Sequence, residues 1–576
     1  MNACRPFVRP WPTSVKLICS TSLRVPPASL GPIESFCPPP FRKPGSSFLL
    51  AMEKDSPPVQ VVEDGSPQPF EVAKKWKGTA ADQHDMLVIG RKQQLRRNFH
   101  LISILGFGCN LICGWEINVT TLGLTLTNGG TAGMIYGFIL TIFGFTFVYA
   151  SLAEMASMSP TAGGQYHWVS EFSPRSCQKY LSYLSGWLCF TGWQAAIGSI
   201  AFLVGSTVQA LIVLHRPDTY IYEAWHGTLL VIAIVLSAFL FNSVLAKRLP
   251  LVEGLVLLVH VCGMFAICIP LWALSSRKSA HAVFTEFTNS GGWSTTGLSF
   301  MVGLTPLTGS MAGIDSVVHM AEEIKDASKT LPRTIMTALP LNATLGLITI
   351  ITLAFCTVNV DNVLSSPTGL MGFPFIEVFY EATGSLAGTT VMAVIPMISL
   401  FGSVVAEVAT ASRQIWAFAR DGGVPFSSRL AKVHPRWTIP LNAILVSLVV
   451  NLLLPLINIG STAALNAIFS LSGVSILCSY ILCIGSILIK RLRNEPLPPC
   501  GWSLGRYGIF INIVALCYLV PVALFQFFPP IIPVAAVSMN WGCLLFGSMI
   551  IFSTTYYVIY GRKTYIPPVM RIRRDI

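Results

Sequence analysis

About twelve apolar stretches, each near the ~20 residues a helix needs to cross a ~30 Å hydrocarbon core, divide this chain. They fall at 101–126, 134–156, 181–213, 226–245, 251–274, 298–319, 335–358, 389–412, 439–457, 463–489, 508–528 and 539–560. Lipid offers no partner for a backbone N–H or C=O, so runs of this length must satisfy those groups internally as helices. An all-α membrane protein with about twelve transmembrane helices follows. Of the 576 residues, 53% are hydrophobic and 11% charged, a balance that excludes an ordinary soluble domain.

The formal charge of +12 is explained by where it lies. With a cytoplasmic N-terminus, sixteen Lys and Arg fall in cytoplasmic joints, from Arg175 and Lys179 through Arg413 and Arg420 to Arg493 and Arg506, and the outer joints hold Arg216, Arg277 and Lys278. That asymmetry predicts cytoplasmic termini and makes the basic excess topological, with no need of a nucleic-acid partner. The 15 cysteines avoid the outer joints, which argues against an extracellular disulfide framework. Residues 1–98, rich in Pro and Ser, read as a disordered cytoplasmic tail in which Met52 is a candidate start. A transit peptide is the alternative for the basic, acid-poor stretch before it.

Two spans carry glycines and an acid together. The first contains Gly106, Gly108 and Gly114, then Trp115 and Glu116; the sixth contains Gly303, Pro306, Gly309 and Gly313, then Asp315. An acid at a helix centre costs roughly 2.5–3.5 kcal/mol on insertion scales, so each calls for a reason. An interval of five helices makes the two spans run in opposite directions, the mark of an inverted repeat. Interrupted helices at matched places point to a midplane substrate site. Close helix packing is the simpler use of such glycines.

The segments "SLAEMASMSPTAGGQYHWVSEFSP" (151–174), "HMAEEIKDASKTLPR" (319–333) and "ASRQIWAFARDGGVP" (411–425) resemble the fungal branch of the amino acid-polyamine-organocation transporters, and within it the choline and GABA permeases. The resemblance runs from about Arg91 to Tyr560. It implies a five-plus-five inverted-repeat core (99–275 and 276–490), two further helices within 491–560, a C-terminal tail from 561 to 576, and alternating access driven by a proton or ion gradient. It also places Gly114, Trp115, Glu116 and Ile117 at the break of the first helix. "GIDS" then matches the sixth-helix segment where coupling is attributed, which marks Asp315. Gly309, Ser310, Met311, Ala312 and Gly313 form the sixth-helix part of the site, where the aromatic gate of some relatives is missing. His260 stands where proton-coupled relatives have a lysine.

Glu116 can serve as a fixed anion for an amine headgroup or as the carrier of a coupled proton. Trp115 favours the first role, since a quaternary ammonium is recognised by aromatic faces and nearby negative charge. Trp193 and Gln194 on the third helix are further binding candidates, and Glu407 on the eighth joins Glu116, His260 and Asp315 as a coupling candidate. Glu322, Glu323 and Asp421 are expected to pair across the cytoplasmic gate. No nucleotide-binding, metal-binding or catalytic motif is present, so no enzyme activity, cofactor or metal is expected. The expectation is a proton symporter of the plasma membrane that imports choline or a related amine or amino acid such as GABA. A nutrient receptor with little transport, or an uncoupled facilitator or exchanger, are the alternatives.

Overall fold

The computed structural model describes residues 71–460 and 464–573. The candidate start at Met52 and the stretch before it lie outside them. Among the described residues the protein is all-helical, and eleven helices are long and apolar enough to cross a membrane. The sixth span is absent from that number because it is broken into Thr296–Gly309 and Ser316–His319. With it, the expected set of spans is complete.

The first span lies at the centre: 83% of its apolar window is buried, against 17% for the last. It packs along the fifth and eighth spans, while the second packs on the seventh and the third on the tenth. The eleventh span, Gly508–Phe525, rests against the second and tenth. Several helices outrun their apolar stretch. The third covers Gln178–His215 and the eighth Leu386–Arg420, so Glu407 lies 13 residues, or about 20 Å, from the Arg420 end of its helix.

The two interrupted spans are broken differently. In the first, Leu101–Ile112 gives way to Gly114–Thr120 at a single residue, Cys113, whose φ of 45° is left-handed. The break expected over Gly114–Ile117 is therefore one residue earlier and much narrower, and those four residues are helical. In the sixth, residues 310–315 leave the helix, with Gly313 at φ 98°, a value that suits a residue without Cβ. The freed backbone is bonded from neighbouring helices: Tyr149 donates its hydroxyl to the Met311 carbonyl at 2.8 Å, and the Gly313 N–H donates to the Tyr480 oxygen at 3.2 Å. The breaks meet, since a Cβ on Gly114 would stand 3.3 Å from the Ser310 carbonyl oxygen.

Residues 71–98 do not continue the expected disordered tail. Ala80–Ile89 is a helix with a Thr79/Asp82 capping box and a left-handed Gly90 at its end. Asp82, fully buried, accepts the backbone N–H groups of Asp326 (3.0 Å) and Ala327 (3.1 Å) and faces Arg97 at 3.1 Å. Arg97 in turn donates to the carbonyls of Ala321 and Ile324. Burial pulls the Arg97 guanidinium below its ordinary value, and Asp82 opposes that pull. This segment escaped notice because its ordering depends on charged groups that meet the joint after the sixth span, over 200 residues away.

Candidate functional site

A cavity of about 50 Å³ lies among the first, third, sixth, eighth and tenth spans. At ~10–15 Å³ per water it has room for a few waters, so a small amine requires its walls to part. Ile117, Trp193, Gly309, Ala312 and Gly313, all expected at the site, line it, as does Glu407. Among the described residues, Glu407 is the one charged side chain on this wall. It is 3% exposed and its Oε2 has no partner among them.

Glu116 lies elsewhere. Its Oε1 is 2.7 Å from Nδ1 of His260, and both side chains are fully buried. Trp115 donates its indole N–H to the His260 carbonyl at 2.9 Å. Neither Trp115 nor Glu116 lines the cavity, because helix Gly114–Thr120 turns them toward the fifth span. Gln194 is likewise turned away. It donates to Ser447 (2.9 Å) and accepts from Asn451 (3.0 Å), tying the third span to the ninth. Ser310 bonds back to the Leu307 carbonyl, and Met311 is buried in the core.

Asp315 stands just beyond the cavity at the sixth-helix break. Its Oδ2 accepts from Gln165 (2.6 Å) and from the Trp193 indole (3.2 Å), and its Oδ1 accepts from the Tyr480 hydroxyl. Trp193 thus touches cavity and acid at once. His319, one turn on, places Nε2 3.4 Å from Asp315 Oδ2 and Nδ1 2.9 Å from the Ala162 carbonyl. A carbonyl only accepts, so Nδ1 carries a proton, and a charge on the imidazole puts a second N–H toward Asp315.

The fifth span holds another buried acid, Glu253, which accepts from Asn110 at 2.9 Å. Sequence reasoning passed over Glu253, His319 and Tyr480. The first two had a readable signal: Glu253 lies two turns from His260 and His319 lies at i+4 from Asp315. Tyr480 had none.

Beyond Asp315, the charged residues of the joints pair with one another. Arg413 bonds Glu323 at 2.8 Å, Arg420 bonds Glu322, and Asp421 receives Arg91 together with the Tyr166 hydroxyl at 3.0 Å. Buried pairs of this kind hold elements in register.

Comparison with known proteins decides the family, since residues 99–549 match the amino acid permease family. The chain belongs to that family. The permease is 31% identical to the choline transporter of Saccharomyces cerevisiae, over 82% of this chain and 83% of that one. It is 26% identical to an amino-acid permease of Arabidopsis thaliana, over 84% and 95%, and 23% identical to amino-acid permease 2 of Neurospora crassa, over 88% and 94%. Transport of an amine or amino acid across a membrane is the activity these similarities support for this permease.

Proposed function

We propose that this permease is a plasma-membrane symporter that imports choline or a closely related cationic amine with protons, by alternating access. Glu407 carries the reading. A buried carboxylate with an unpartnered oxygen is costly to maintain, and a cationic headgroup in the cavity would supply the missing charge. Trp193 on the same wall offers an aromatic face, the other half of quaternary-ammonium recognition. The pairing of Glu116 with His260 favours Glu407 over it for the headgroup role. That pair and the Asp315–His319 pair become the coupling candidates: each joins a carboxylate to an imidazole, and the second touches the cavity through Trp193.

The test is uptake of labelled choline, GABA and a panel of amino acids in yeast lacking its own permeases, with and without a protonophore. Gradient-dependent accumulation of choline is expected, and Glu407→Gln should raise its KM about tenfold or more. Unchanged KM in that variant would remove Glu407 from the headgroup site. Accumulation insensitive to the protonophore would favour a facilitator, and binding without accumulation a receptor.

A further inference from the structure

We propose that Phe469, on the tenth span, is the ring that closes the central cavity from the outside, taking the place of the aromatic missing from the sixth span. A second cavity, of about 40 Å³, lies on the side where the first span ends; Asn128, Pro306, Phe528 and Asn540 are on its wall. Phe469 is the one described residue that lines both cavities. Its ring is therefore the partition between them.

The sixth span is shaped to receive that ring. A Cβ built on Gly309 would stand 2.8 Å from Cζ of Phe469, closer than real side chains approach. A side chain at 309 and the ring at 469 compete for one volume, so the bare glycine and the phenylalanine form a matched pair. One turn further along the tenth span, Gly473 is also on the cavity wall, where a Cβ would stand 2.9 Å from Gln526 Oε1. Phe469 is half-buried and lies in the first turns of its helix, Ala464–Leu492. A change of its side-chain rotamer would join the two cavities without unpacking the helix.

This inference rests on the proposed passage of substrate through the central cavity, and its test separates the two. Ala312→Cys places a thiol on the cavity wall, and its labelling by a membrane-impermeant reagent added outside reports access without transport. Against matched controls lacking that cysteine, Phe469→Ala should speed labelling about tenfold, while Phe469→Tyr leaves it slow. In uptake assays Gly309→Phe alone should abolish transport, and the double variant Gly309→Phe/Phe469→Ala should recover it, because one ring again fills the shared volume. Equal labelling rates with and without the Phe469→Ala substitution would overturn the proposal, as would a double variant no better than Gly309→Phe when Phe469→Ala alone is fully active. Should the wild type accumulate no substrate, the transport reading falls while the labelling experiment still decides whether the ring is a barrier.

Discussion

The Glu116–His260 pair offers the sharpest test of how the core is built. The two groups meet at 2.7 Å with both side chains fully buried, while Glu116 Oε2 and His260 Nε2 have no partner among the described residues. Each group therefore depends on the other. His260→Leu leaves Glu116 buried and unpaired, a loss of about 3–5 kcal/mol for a broken buried pair. Glu116→Met leaves a neutral imidazole lacking one bond, costing about 1–3 kcal/mol. The double variant leaves neither group stranded, so its loss should be well below the sum of the two, and apolar replacement of a whole pair is often neutral. The assay is a double-mutant cycle on thermal unfolding of the purified permease, with choline KM measured alongside. KM in Glu116→Met should stay within about threefold of wild type, since Glu116 does not reach the cavity. Additive losses, or a tenfold rise in KM without loss of stability, would refute this account and return Glu116 to the headgroup.

Other expectations follow from the same geometry. Asp315→Asn sets an amide N–H₂ against N–H and O–H donors, at about 1.5–3 kcal/mol per charge-assisted bond; unfolding should occur at lower temperature, and uptake should lose its protonophore sensitivity. Asp82→Ala strands Arg97 and two backbone N–H groups, at about 3–5 kcal/mol, and limited proteolysis should then cut within 71–98 where the wild type resists. Asp85, on the same helix as Asp82, has its carboxyl raised by burial, an effect opposed by a hydrogen bond from Ser328. A raised carboxyl contributes stability below its unfolded value and loses it as pH climbs through the folded one. Asp85→Asn should therefore raise the unfolding temperature at neutral pH, with the gain vanishing below the ordinary carboxylate range; a gain independent of pH would contradict the cause.

How much of this was legible in the sequence depends on range. The spans were readable because helix length and apolarity are local quantities fixed by the thickness of the bilayer. The sixth-helix break was readable because Gly309, Pro306 and Gly313 act on their own backbone, and Glu322, Glu323 and Asp421 were recognisable as ion-pair partners because their joints are rich in Lys and Arg. By contrast, the placing of the first-helix break at Cys113, one residue before the glycine that signalled it, and the bonds that Tyr149 and Tyr480 make to the sixth-helix break are set by packing. No local pattern announces them.

The acids divide in the same way. That Glu116, Asp315 and Glu407 need a reason is a fact of sequence, because a carboxylate in a membrane span is costly wherever it points. Which reason each has is a fact of direction. A rotation of about 100° per residue separates a side chain on the cavity wall from one on the next helix, so Ile117 faces the cavity while Glu116, one residue before it, faces His260. Composition and spacing determined that this chain is a membrane protein with two interrupted helices, and its resemblance to known transporters made it a permease. Only the packing of those helices decided which acid faces the central cavity and which is matched to a histidine, because side-chain direction is set by neighbours far away in the chain.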